Sequence, residues 1–111
     1  MRRFTVAAAI AVVAASVPVA PAFAADAAAG KAKVQSACQV CHGLDGIAKI
    51  PDAPNLAGES AIYIAKQLKA FKSGERRHQQ MSIIASGLSD EDIANLAAWY
   101  ASLKVTVELP P

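Results

Sequence analysis

Cysteine is nearly absent from this chain. Its 111 residues include only two, Cys38 and Cys41, which sit within one helical turn of each other. That excludes the disulfide framework by which many small exported domains are stapled. Histidine is equally sparse, with His42 and His78 the only two. No strand–helix–strand alternation surrounds the cysteine pair, so a thioredoxin-like redox motif is unsupported. Long apolar runs are missing as well. The one candidate, Phe4 to Ala15, falls short of the roughly 20 residues that cross a bilayer core of about 30 Å, and Pro18 and Pro21 interrupt any extension.

The formal charge of +2 belongs to the N-terminus. Arg2 and Arg3 precede the apolar run and Ala22-Phe23-Ala24 closes it. This is the basic, apolar, small-x-small order of a secretory signal peptide. Residues 1–24 are therefore expected to be cleaved, leaving 25–111 as a single exported domain. In a bacterium that places it in the periplasm, without stable membrane insertion. Losing Arg2 and Arg3 leaves the nine acidic residues matched by as many basic ones, so the charge gives no support to a nucleic-acid partner. A domain this small buries little surface and usually carries a staple.

The chain does hold Cys38-Gln39-Val40-Cys41-His42, a C-x-x-C-H pattern of the kind that attaches haem. Two thiols a turn apart at a helix end can each add to one haem vinyl group, and the adjacent imidazole is then placed to bind the iron. A disulfide is the competing reading in an oxidising compartment. It would leave His42 unexplained and close too small a loop to stabilise much. One covalent haem c with its iron would also be the staple that the composition otherwise lacks.

The patterning is helical throughout. Asp26 is a plausible N-cap for a helix running to about Gln39, with Gly30 inside it at a cost of about 1 kcal/mol relative to alanine. His42 to Glu59 reads as a loop with turns near Gly43 and Gly46, then Pro51 and Pro54. A loop this long in a small domain is usually functional. Ser60 opens a helix that ends at Ser73 before Gly74, with Ala61, Ile64, Ala65, Leu68 and Phe71 as its apolar stripe. Tyr63 and Gln67 lie one turn to the side, as amphipathic filler or as hydrogen-bonding groups for haem propionates. Lys66, Lys69, Lys72, Arg76 and Arg77 form the one basic cluster, either a solvated face or a docking surface for an acidic partner. Residues 78–88 lead from a polar approach into an apolar turn or short helix. Ser89 and the carboxylates behind it have the form of a capping box, opening a last helix through Ser102 that buries Ile93, Leu96, Ala97 and Tyr100, with Trp99 at the edge.

With His42 on one side of the iron, the opposite position decides the chemistry. Met1 leaves with the signal, so Met81 is the one thioether available. It stands where a polar loop meets an apolar turn, although isolated methionines commonly fill gaps in cores. His78 is the competitor and would give a bis-imidazole iron of lower potential. Its neighbours Arg77 and Gln79 suit a surface histidine. His/Met ligation raises the potential and leaves no open site for a substrate, which points to electron transfer rather than catalysis.

On these residues the sequence resembles the class I c-type cytochromes, of the short bacterial periplasmic monohaem kind. Gly30 and Val34 stand eight and four residues before Cys38. The resemblance implies that this glycine lets the first helix cross the last one closely, against a leucine and an aromatic that Leu96 and Trp99 match. Val34 departs from a commonly aromatic position. Pro54-Asn55-Leu56 resembles the loop in which the proline carbonyl accepts the proximal histidine's Nδ1–H and the leucine packs on the haem. By the same resemblance Met81 is the distal ligand, and a dihaem relative would need a second C-x-x-C-H. The implied architecture is an all-α cytochrome c fold, three to five helices wrapped around one covalent haem. The implied function is a one-electron carrier, monomeric and not an enzyme, working between a donor dehydrogenase or membrane complex and an acceptor oxidase or reductase. A haem c subunit bound permanently to an oxidoreductase is the alternative.

Overall fold

A computed structural model describes residues 24–111, with Met1 and Pro18 as isolated positions. The expected signal peptide thus lies almost wholly outside the described residues. The described chain is helical, without a strand: α1 (Ala27–Ala37), α2 (Gln39–His42), α3 (Ala61–Ser73), α4 (Met81–Ser86) and α5 (Asp90–Ser102). None of these helices is long and apolar enough to cross a membrane.

Local chemistry accounts for most of the boundaries. The Asp26 carboxylate accepts from the amides of Ala28 and Ala29 at 2.8 and 3.2 Å, capping α1. Ser60 Oγ accepts from the Tyr63 amide at 3.4 Å at the start of α3. At α5 both halves of the capping box form. The Asp92 amide donates to Ser89 Oγ at 2.9 Å, and the Ser89 amide donates to the Asp92 carboxylate at 3.0 Å. Asp90, Glu91 and Asp92 fill that first turn, where their charge complements the helix dipole.

One boundary differs from the expectation. The first helix does not run to Gln39 but breaks at Cys38, whose φ of −124° leaves the helical range. The Cys38 amide still donates to the Val34 carbonyl at 2.9 Å, while its own carbonyl accepts from Cys41 and His42 at 3.3 and 3.0 Å. Cys38 therefore ends one helix and begins a separate single turn that holds Cys41 and His42.

The core is built where α1 crosses α5 and α3 packs alongside. Val34, Ile64, Leu88, Ile93, Leu96, Ala97 and Tyr100 are buried together. The crossing is closest at Gly30, where an added Cβ would overlap the Asn95 carbonyl and sit 3.0 Å from Trp99 Cβ. The glycine thus meets Trp99 as implied, but its other neighbour is the Asn95 backbone, while Leu96 points into the core. Two polar ties hold the same pair of helices. The Asp26 amide donates to buried Asn95 Oδ1 at 2.7 Å, and Lys33 pairs with Asp92 at 3.1 Å. Beyond the crossing, α5 reaches the 43–59 loop. Trp99 Nε1 donates to the Leu44 carbonyl at 3.0 Å, and the Gly58 amide donates to the Tyr100 carbonyl at 2.9 Å.

Candidate functional site

The single turn of α2 brings Cys38, Cys41 and His42 to the wall of one cleft. The turn is closed by the Gly43 amide bonding to the Gln39 carbonyl at 2.9 Å. Gly43 then takes φ +75°, a conformation that favours glycine, and a Cβ there would strike Asp45 and the Ile47 carbonyl. The chain can therefore turn away directly behind His42 and pass beneath it.

His42 is buried, and its Nδ1 lies 2.9 Å from the Pro54 carbonyl. A carbonyl can only accept, so Nδ1 carries the proton and Nε2 is left with a free lone pair. That tautomer is the one a metal-ligating imidazole needs, and such an outer bond also fixes the ring's orientation. The loop that supplies Pro54 is itself tied down on both sides. The Ala48 amide donates to Asn55 Oδ1 at 2.8 Å, and the Leu56 amide donates to the Gly46 carbonyl at 2.7 Å.

The two cysteines are unpaired thiols. Burial pushes the Cys38 thiol up to about 11, outweighing the nearby Lys33 ammonium. A thiol–disulfide nucleophile needs the opposite shift, so Cys38 is poorly suited to attack a disulfide.

A second cleft adjoins the first, and Met81 lines both. Pro54, Leu56, Tyr63 and Gln67 all line this second cleft, so the structure brings together every candidate read from the sequence. The walls fit a haem: two thiols, an imidazole of the right tautomer and a thioether around a mainly apolar space.

Three further residues take parts at the site that the sequence did not assign them. Arg76, counted above only in a basic cluster, turns into the second cleft. Its guanidinium donates to Gln67 Oε1 at 2.7 Å and lies over the Phe71 ring at 4.6 Å. With Gln67 Oε1 engaged by the guanidinium, its NH2 is left as a donor, as a carboxylate partner requires. Asn55 and Trp99 hold the loop beneath His42, as described above. The basic cluster itself is largely spent on internal contacts. Lys72 Nζ donates to the Leu88 carbonyl at 2.6 Å and Arg77 Nε to the Gly74 carbonyl at 3.4 Å.

Comparison with known proteins agrees with this geometry. Residues 25–99 match the family described as cytochrome c oxidase, cbb3-type, subunit III. The chain is 48% identical over 80 residues to cytochrome c-554(548) of Halomonas halodenitrificans, covering 69% of this chain and 95% of that protein. It is 44% identical over 82 residues to cytochrome c4 of Pseudomonas aeruginosa, covering 74% of this chain but 40% of that protein. The crystal structure of reduced recombinant cytochrome c4 from Pseudomonas stutzeri superposes with a TM-score of 0.68 at 38% identity, over 76% of this chain and 48% of that one. The chain thus spans about half the length of the c4 proteins and nearly all of c-554(548).

Proposed function

The chain belongs to the c-type cytochromes, in the family of cbb3-type cytochrome c oxidase subunit III, and from that premise we propose how it holds its haem and where it works. It is an electron carrier with one haem c, whose iron takes up and releases a single electron. Cys38 and Cys41 would hold the group through thioethers, each S–H adding across one vinyl double bond. His42 Nε2, made available by the bond from Nδ1 to Pro54, would bind the iron. Met81 Sδ would bind it as well, and two neutral ligands would favour the reduced state and raise the potential. Leu56 would pack against the group, and Arg76 with Gln67 and Tyr63 would receive the propionates.

With His42 and Met81 both bound to the iron, no position would be left for a substrate, so the chain would act as a carrier and not as an enzyme. Its residues position the ligands, exclude water and move no proton. We place residues 1–24 as a cleaved export signal and residues 25–111 as a monomeric periplasmic domain. Its redox partners are a donor dehydrogenase or membrane complex and an acceptor oxidase or reductase.

The observation that carries this reading is the cleft itself, in which the C-x-x-C-H turn and Met81 line one wall-to-wall space. Optical spectra of purified protein in both redox states, with a pyridine haemochrome, test it. One haem per chain, thioether-type haemochrome bands and a sulfur-to-iron band in the ferric form are expected. Colourless protein from a host able to mature c-type cytochromes would overturn it. A fixed haem subunit of an oxidoreductase is the second reading, favoured by the subunit named in the family description. Gel filtration from native membranes and periplasm separates the two, since a fixed subunit elutes with its partner.

A further inference from the structure

We propose that His78 is a positioning residue for Met81, its imidazole capping the turn that leads into the short helix that carries the sulfur. The inference rests on Met81 being the distal ligand. His78 Nδ1 lies 3.3 Å from the Gln80 amide and 3.2 Å from the Met81 amide. The His78 carbonyl accepts from the Ser82 amide at 3.0 Å, and Ser82 Oγ accepts from the His78 amide at 3.0 Å. Gln80 is at the N-cap position of α4 and has no side-chain hydrogen bond of its own there, so His78 plays the part of a cap from two residues ahead. Its side chain serves the second and third amides after it, and its carbonyl takes the first helical hydrogen bond.

Serine, threonine, aspartate and asparagine ordinarily play that part. An imidazole can replace them only as an acceptor. Two N–H donors converge on Nδ1, so the ring proton resides on Nε2. The ring is steadied by an edge-to-face contact with Phe71, with centroids 6.5 Å apart and planes at 72°.

The cap matters here because α4 has little else to hold its first turn. The helix is only six residues long, Ala85 is its one buried residue, and Ile83 is exposed. Helices this short depend on end contacts and packing rather than on propensity. Met81 is the first residue of α4, so fraying would release the sulfur before any other part of the helix. His78, the residue that competes with Met81 for the iron on sequence grounds, is thus engaged in holding Met81 in place.

The test compares wild type, His78→Ala and His78→Asn as purified ferric holoproteins. Cyanide affinity and the sulfur-to-iron charge-transfer band are measured, with far-UV helicity as a check on folding. His78→Ala is expected to keep its covalent haem and helicity, to weaken the sulfur band, and to bind cyanide about fivefold more tightly, the scale of a lost cap. His78→Asn, which can still accept from the same amides, is expected to restore both readouts. Should His78→Ala fail to accumulate, Ser82→Ala removes the reciprocal hydroxyl contact and is expected to shift both readouts in the same direction, by less.

Unchanged cyanide affinity and an unchanged band in His78→Ala would overturn the capping role while leaving Met81 as ligand. A shift that asparagine does not restore would also overturn it, assigning the effect to the ring's packing on Phe71. A wild type without any sulfur band would overturn both the ligand reading and this inference.

Discussion

Gly30 and Asn95 meet backbone to backbone: the space where a side chain on Gly30 would begin is filled by the Asn95 carbonyl. Two helices from opposite ends of the described chain can approach this closely only if one contributes no Cβ. The same asparagine uses its side chain to accept from the Asp26 amide. One residue of α5 thus sets both the depth of the crossing and the start of α1.

Gly30→Ala should therefore destabilise the protein. On helix propensity alone the change would stabilise by about 1 kcal/mol. The obstacle is backbone, which cannot rotate aside as a flexible side chain would, and overpacking of this kind costs about 1–3 kcal/mol or more. The expected net is a loss of about 1–2 kcal/mol, read as a lower guanidinium midpoint with an unchanged slope. A midpoint at or above wild type would mean that the crossing is looser than the structure has it.

Much of this architecture was legible in the sequence because its signals are local. The Ser89 cap, Gly74 at the end of α3 and the buried positions of α5 depend on residues within a turn or two of each other. The haem-binding turn was legible for the same reason. The break at Cys38 was not, since alanine-rich sequence around it favours an unbroken helix and only the hydrogen bonds to the Cys38 carbonyl reveal the second turn. Arg76 and His78 were read as surface groups from their charged and polar neighbours. Their roles arise from contacts to Gln67, Phe71 and the start of α4 that form only once the chain turns back after Gly74. Asn95 was passed over because a polar residue on an apolar stripe carries no sign of its distant partner, the Asp26 amide.

The acid limb of stability should depend on Asp92. Its carboxyl is held below the usual range, chiefly by the hydrogen bond from the Ser89 amide and then by Lys33. A depressed folded-state value means the stabilisation is complete above the unfolded value near 3.9 and is lost as pH falls through the lower folded value. Asp92→Asn keeps a capping oxygen but loses the charge. At pH 6 the variant is expected to be less stable by about 0.5 kcal/mol, as for other exposed pairs, and the difference should fade as pH drops through the lowered folded-state value. Denaturant titrations of both proteins across that range check this. A gap that widens on acidification would contradict the assignment.

Met81→Ala addresses the distal ligand directly. The variant should retain covalent haem, because Cys38 and Cys41 are untouched, and should lose stability by about 2 kcal/mol, the low end for a methionine truncation, since Met81 is only half-buried. Its potential should fall, as sulfur ligation is what raises it. Carbon monoxide should bind the reduced form at neutral pH, and the wild type is expected to resist it. An unchanged spectrum and potential would remove Met81 from the iron.

Arg76 offers a test of how the second cleft is charged. A guanidinium held by Gln67 and Phe71 beside a bound haem opposes the extra positive charge of the ferric state, and so favours the reduced one. Removing it should lower the potential. The site is open to solvent, so the effect is that of a screened pair, up to about 1 kcal/mol, or about 20–40 mV for one electron. Arg76→Leu should show this drop in a redox titration, and Arg76→Lys should recover part of it because the charge returns without the planar fork. The drop should shrink as salt is raised, since screening weakens exposed charges first. If instead Arg76→Leu raises the potential, the guanidinium does not face the haem, and the propionates must be held by other residues of the cleft.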